Sequence, residues 1–348
     1  MKRYGHGLVV GRFHPPHAGH HHLVATARER CERLTVLVRS SAADSLPLDE
    51  RVAWMRETHP DALVVGTPVD GADTPAARTA VLRAAVPERV DAVFTSATHP
   101  EEPGRGLGAA TVRVDSGHLG VPASAAVRAD PAGCWDHLAP PVRAALTRRI
   151  VVLGAESTGA TTMTLALTGH YRRRGGVWAR TRYVAGHEHD TPGPPGARHH
   201  DRPPRSVDFP VLAQCRAERE EEAARDGAPV LFCDTDTDAF ATTIWHERHT
   251  GTTSPAVGEI AARGRQHLWL LTDHRGVPYE PTGDTARRDG DRLRPWMTAR
   301  FLTQLTRTGR RTAVLTGPHE ERLAAAVAAV DALLAEGWGL TEPPEEPR

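Results

Sequence analysis

The chain has 348 residues, with 43 basic and 43 acidic side chains and a formal net charge of zero. Lys2 is its only lysine, which excludes a Schiff base, a lysine general base and a phosphate-loop lysine beyond the N-terminal tip; arginine keeps its proton and cannot replace the first two. The balanced charge argues against a whole-protein nucleic-acid or membrane-surface binder, and the length predicts about two domains at roughly 150 residues each.

The first predicted element is a strand over residues 8–10 that runs into Gly11-Arg12-Phe13. The first residues show no charged n-region followed by an apolar h-region, so a signal peptide is not expected. No apolar run approaches the roughly 20 residues that span a bilayer, so a cytoplasmic protein is expected. A helix over 20–33 follows, then strands over 34–38, 62–65, 92–95 and 111–114, with a helix over 47–57 among them. A helix over 141–147 leads into a second strand-turn-helix unit, with its strand over 150–153 and its helix over 161–174. Further strands are predicted over 230–233, 268–271 and 313–315, and helices over 211–225 and 320–335. Strand and helix alternate in both halves, which predicts an α/β protein of two doubly wound parallel-sheet domains. The expected division is 1–147, 148–336 and a frayed tail over 337–348. Residues 186–206 read as an exposed loop; its His187, His189, His199 and His200 have no carboxylate or cysteine at ligand spacing. Cys31, Cys134, Cys215 and Cys233 form no CxxC pair, so neither a disulfide framework nor a zinc finger is expected.

The stretch Gly11-Arg12-Phe13-His14-Pro15-Pro16-His17-Ala18-Gly19-His20 carries the first candidate site. Two prolines force a non-helical path after the strand, and His17-Ala18-Gly19-His20 opens a helix. Gly19 allows close approach of a phosphate. His17 and His20 can donate to phosphate oxygens beside the helix N-terminus. The next helix, around Leu48-Asp49-Glu50-Arg51-Val52-Ala53-Trp54, resembles the one that carries an arginine toward the acceptor phosphate in the nucleotidyltransferase superfamily, a resemblance that implies Arg51 as the contact; the alternative is an exposed surface arginine. Trp54, on the same face, is either core or a base-stacking ring. Ser96, after a strand, is placed at the acceptor pocket.

The second candidate site is Gly154-Ala155-Glu156-Ser157-Thr158-Gly159-Ala160-Thr161-Thr162. It has the spacing of the phosphate loop G-x-x-x-x-G-K-[ST] and the strand-before, helix-after context such a loop needs. Ala160 occupies the lysine position and Thr161 the Mg²⁺-ligand position. Asp234, and after it Asp236, follow a strand and are placed to orient Mg²⁺ or to take a hydroxyl proton. Arg287, Arg288, Arg292 and Arg294 are read as a lid over ATP phosphates or as a solvated charged loop.

The first stretch resembles the HxGH signature of the nucleotidyltransferase superfamily. That resemblance implies in-line adenylyl transfer from ATP, with Gly11, Arg12, Phe13, Gly19 and Ser124 at the nucleotide and His17, His20 and Arg128 as catalytic groups. Ser124 and Arg128 match the superfamily's S-x-T-x-x-R motif only in part, since the threonine is missing and the spacing is four residues. The order of the two motifs, with Trp245-His246-Glu247-Arg248 and Arg292-Leu293-Arg294-Pro295-Trp296-Met297, resembles the NadR family of bifunctional NMN adenylyltransferase/ribosylnicotinamide kinases. The resemblance implies Mg²⁺ as cofactor and ATP, NMN, nicotinamide riboside and NAD as small-molecule partners, in a chain that is a possible homo-oligomer and does not bind DNA. The segment 177–183 lacks that family's acidic E-Y-G-R pattern. Two other readings stay open: one activity retained or turned to another nucleotide-like substrate, and a non-catalytic nucleotide sensor.

Overall fold

The computed structural model describes residues 3–69, 74–96, 101–115, 117, 120–185, 205–234, 239–280 and 290–340. They divide into two compact units, Met1–Val142 with Trp338–Arg348, and Arg143–Gly337. Residues 341–348 of the expected tail and 186–204 of the histidine-rich segment lie outside the described residues.

The first unit is a five-stranded sheet of β1 (Tyr4–Gly11), β2 (Cys31–Ser40), β3 (Leu63–Pro68), β4 (Ala92–Thr95) and β5 (Ala110–Arg113). Every neighbouring pair is parallel, in the order β3-β2-β1-β4-β5. Its helices are α1 (Ala18–Arg30), α2 (Leu48–Thr58), α3 (Pro75–Ala85), α4 (Glu101–Leu107) and α5 (Ser124–Ala129), with α6 (Pro140–Leu146) at the junction with the second unit. Both faces of the sheet are covered. Leu8 packs with Leu82 and Val93 on one face, and Val9 with Val24 and Phe94 on the other. A strand buried on both faces has no polar alternation, which is why residues 8–10 are uniformly apolar.

The second unit repeats the plan with β6 (Arg148–Gly154), β7 (Arg182–Val184), β8 (Val230–Asp234), β9 (Gln266–Thr272) and β10 (Thr312–Leu315). Their order is β10-β9-β6-β8-β7, again all parallel. The helices are α7 (Ala160–Arg172), α8 (Asp208–Asp226), α9 (Ala239–Thr250), α10 (Pro255–Arg263), α11 (Gly290–Arg307) and α12 (His319–Ala335). Val151 and Leu153 face Ile244 and Phe301, whereas Ile150 and Val152 face Leu167 and Val330. Near the end of α7 the buried Tyr171 donates its hydroxyl to Asp331 of α12 at 2.6 Å. Arg174 bonds the same carboxylate and lies 4.2 Å over the Tyr171 ring.

Element boundaries depart from the sequence reading where a buried polar residue or a direct junction hides the pattern. Strand β1 starts at Tyr4 and carries the buried His6, whose ring nitrogens meet Thr35 Oγ1 at 2.9 Å and the Arg89 carbonyl at 3.0 Å. Helix α1 stops at Arg30, because Cys31 already pairs with Tyr4 in the sheet. Strand β7 was not expected; it is three residues long, and of these only Val184 is buried. Among the described residues no helix is long and apolar enough to cross a membrane.

Two candidate phosphate-binding sites

In each sheet the first strand in sequence lies at the centre, and the later strands are added on both sides of it, so the order of the strands reverses there. Ligands of open parallel sheets settle beyond the strand C-termini at such a reversal. Strand β1, between β2 and β4, delivers Gly11 there; β6, between β9 and β8, delivers Gly154.

At the first reversal His17 is the N-cap of α1. Its Nδ1 accepts the Gly19 N–H at 3.2 Å, which places the proton of the neutral ring on Nε2. Nε2–H then donates to Ser124 Oγ at 2.9 Å. His20 completes a capping box, its Nδ1 accepting the His17 N–H at 3.3 Å, so its proton also sits on Nε2. The two rings lie 3.9 Å apart. A side chain at Gly19 would put its Cβ 3.1 Å from the His17 ring, so glycine is what lets the imidazole fold back onto the helix terminus. Burial holds both histidines neutral: it pushes His17 down to about 4 and His20 well below the ordinary value, with the nearby Arg128 acting in the same direction. The structure thus brings Ser124 and Arg128 of α5 to the HxGH turn. Phe13 is buried with a left-handed φ of 50° and packs edge-on against His20, ring centres 5.1 Å apart.

Arg12 lies 3.8 Å from the Asp44 carboxylate. The sequence reading passed over His14. It is buried and its Nε2 accepts the Leu46 N–H at 3.1 Å; burial pushes its pKa down to about 4. Its Nδ1 is a buried donor with no protein partner among the described residues. A pair of prolines and a crowd of histidines masked it in the sequence.

One acceptor-site expectation, Arg51, is corrected, and Trp54 resolves to the core alternative. Arg51 has all five guanidinium N–H groups engaged inside the protein: by Pro47 O, Arg12 O, Arg39 O, Ser40 Oγ and Asp44 Oδ2. Its side chain is 0% exposed, so it offers nothing to an acceptor phosphate and instead ties the loops after β1 and β2 together. Trp54 is also buried and presents no free ring face for stacking. Ser96 is exposed just past β4.

At the second reversal the loop after β6 has left-handed Ser157 (φ 56°) and Gly159 (φ 84°), the alternation that turns successive N–H groups into an anion nest. A Cβ on Gly154 would come within 2.2 Å of the Thr158 and Thr272 hydroxyls. Those hydroxyls bond each other at 2.7 Å and lock the loop to β9. Thr161, in the first turn of α7, donates to Asp234 Oδ2 at 2.6 Å, so the two expected metal-binding groups meet. Thr162 is exposed beside Thr161. A hydroxyl and a carboxylate are hard oxygen donors that suit Mg²⁺, which needs only one or two protein ligands beside substrate phosphates. Among the described residues no group of three His, Cys, Asp or Glu could hold a metal.

The lid expectation is partly corrected. Arg292 and Arg294 lie in α11 rather than in a loop, Arg292 exposed and Arg294 buried. Arg294 Nη2 donates to the Val277, His274 and Ser157 carbonyls at 2.8, 3.1 and 3.5 Å. Arg287, Arg288 and Asp236 lie outside the described residues. Ser157 Oγ donates to the Glu280 carbonyl at 2.6 Å, and Glu156 pairs with Arg248 at 2.8 Å. The Glu156–Arg248 pair was not read from the sequence, where the two residues are 92 positions apart.

The profile of the cytidylyltransferase-like family matches residues 8–70 and that of the AAA domain residues 149–322. No curated protein sequence matches the chain. Two similar solved structures are of NadR protein. One, in complex with NR, is 16% identical with a TM-score of 0.69; the other, in complex with NAD and AMP-PNP, is 15% identical with a TM-score of 0.67. Each match covers 99% of both chains. The chain therefore belongs to the AAA-domain family through residues 149–322, carries a cytidylyltransferase-like segment ahead of it, and has the fold of NadR from end to end.

Proposed function

We propose that the chain is a two-step NAD salvage enzyme. Residues 148–336 phosphorylate nicotinamide riboside with ATP, and residues 1–147 join the resulting NMN to AMP from a second ATP. The His17–Ser124 hydrogen bond carries the reading, because it brings the HxGH turn and the shortened serine-arginine motif to one point. The NadR structures with NR and with NAD and AMP-PNP supply the substrate classes.

In adenylyl transfer an NMN phosphate oxygen attacks the α-phosphorus of ATP, the bond to the bridging oxygen breaks and pyrophosphate leaves. No proton need move, so the protein positions and stabilises. His20, neutral with its proton on Nε2, and Arg128 serve as donors to phosphate oxygens, and His17 joins them by exchanging Ser124 Oγ for a phosphate oxygen as the partner of its Nε2–H. Arg12 and Gly11 flank the nucleotide. Asp44, held by Arg51, orients Arg12.

In the second unit the loop 154–162 cradles the ATP phosphates, and Thr161, Asp234 and Asp236 would hold Mg²⁺, which when bound neutralises charge on the β- and γ-phosphates. Arg287 and Arg288 are assigned as further donors to those phosphates. Ser157 Oγ donates to the Glu280 carbonyl and the Ser157 carbonyl accepts from Arg294 of α11, which ties the phosphate loop to both.

The test supplies purified protein with ATP and Mg²⁺ plus either NMN or nicotinamide riboside and chromatographs the products. NAD is expected from NMN and NMN from the riboside. Lack of NAD from NMN removes the adenylyl assignment; lack of NMN from the riboside confines activity to the first unit, the outcome that Ala160 would favour if nothing replaced the lysine.

A further inference from the structure

The phosphate loop of the second unit has Ala160 where a lysine normally stands, and with Lys2 the only lysine the unit has none to recruit. Arginine surrounds the loop instead. Three consecutive loop residues are each held by a guanidinium from a different helix: Glu156 by Arg248 of α9, Ser157 by Arg294 of α11 and Thr158 by Arg322 of α12.

Two of these grip the backbone. Arg294 spans three carbonyls, and the buried Arg322 donates to the carbonyls of Gly317 at 2.6 Å, Thr158 at 3.3 Å and Arg275 at 3.4 Å. A cation on a peptide oxygen polarises that amide and strengthens its N–H as a donor; the amides concerned are those of Thr158 and Gly159. Arg248 is different. Its Nη1 meets the Glu156 carboxylate at 2.8 Å and Met297 Sδ at 3.2 Å, and its guanidinium lies 4.8 Å over the Trp245 ring. A side-chain carboxylate is a partner that an incoming phosphate can displace, whereas the carbonyl grips fix the loop itself.

We propose that Arg248 replaces the missing phosphate-loop lysine, turning its guanidinium fork from Glu156 onto the terminal phosphates of ATP while Arg294 and Arg322 hold the loop. The proposal rests on the reading of this unit as an ATP-dependent phosphotransferase. In the step it serves, the acceptor hydroxyl oxygen bonds to the γ-phosphorus, the bond to the β–γ bridging oxygen breaks, ADP leaves, and the hydroxyl proton passes to solvent.

The experiment is a double-mutant cycle on the full chain. Arg248→Met should lower turnover of riboside phosphorylation by about 10²–10³-fold, the scale for losing one pre-placed charge donor, and Arg248→Lys should recover part of it. In the Glu156→Gln background Arg248→Met should cost the same factor. If Arg248 served only to neutralise Glu156, that cost would vanish there, and the proposal would be overturned. Retention of wild-type turnover by Arg248→Met overturns it as well. Adding Ala160→Lys to Arg248→Met should restore turnover by about tenfold or more, given the same donor scale; the cycle stands whether or not that variant folds.

Calorimetry with ATP and Mg²⁺ separates the two levels. If the wild type binds ATP but leaves the riboside unphosphorylated, the substrate reading fails, and weaker ATP binding by Arg248→Met in both backgrounds still supports the proposal. Unchanged ATP binding in that case overturns it, and no ATP binding by the wild type overturns both.

Discussion

A single proton position organises the first site. His17 accepts at Nδ1 and donates at Nε2, and burial keeps it neutral down to about 4. Adenylyl transfer should therefore show no acidic limb near the ordinary histidine value of 6.5 attributable to His17; its loss of activity should come close to pH 4, where Nδ1 takes a proton and can no longer accept from Gly19. A pH–rate profile of NAD formation from NMN checks this, and an inflection near 6.5 that disappears in His17→Asn would refute it. Ser124→Ala should lower turnover by about tenfold, corresponding to one net hydrogen bond of about 1–1.5 kcal/mol, with little change in folding because α5 keeps its backbone bonds. His17→Ala removes the cap as well as the donor and should cost more, about 10²-fold or beyond. Product chromatography under single-turnover conditions measures both; equal rates for wild type and His17→Ala would remove this residue from the site.

Elements set where these side chains stand, and here sequence and structure part company in an instructive way. The glycine turns, the strands before them and the helices after them were legible, because doubly buried strands and phosphate-loop spacing leave strong local marks. The meeting of Thr161 with Asp234 followed from those marks, since adjacent parallel strands deliver their C-terminal ends to one edge. Arg51 was not legible. Its position in α2 looks the same whether its side chain reaches solvent, substrate or the loops behind it, and only the fold shows five internal acceptors around it. The Glu156–Arg248 and Ser157–Arg294 contacts were hidden for the same reason: they join distant segments with no pattern in either. Arg51→Ala should destabilise the first unit by about 3–5 kcal/mol, because it strands the buried Asp44 carboxylate. Urea unfolding measures it. A change below about 1 kcal/mol, the size of an exposed pair, would return Arg51 to the surface role.

The whole molecule gathers its displaced histidines unevenly. In the first unit burial lowers His14, His17 and His21 to about 4 and also lowers His20 and His59. In the second, His267 is lowered to about 4, with His170 and His246 lowered too. Unfolded, each titrates near 6.5, so between about 4 and 6.5 the unfolded chain binds more protons than the folded one. Stability must then fall as pH drops through 6.5, and the share of that fall due to His14, His17, His21 and His267 levels off below about 4. Calorimetry at pH 7 and pH 5 should show the melting transition of the first unit moving down further than that of the second. A first-unit transition that is unmoved, or raised, at pH 5 would contradict the buried neutral state of the cluster.

The Tyr171–Asp331 contact has a spectroscopic corollary. Burial raises the phenol's pKa, and the adjoining carboxylate raises it further. Of the four tyrosines in the chain, this one should stay un-ionised as pH passes the usual tyrosine value of about 10. Its phenolate absorbance should appear only when α7 and α12 come apart, which makes alkaline difference spectroscopy a built-in reporter of the second unit's integrity that needs no label.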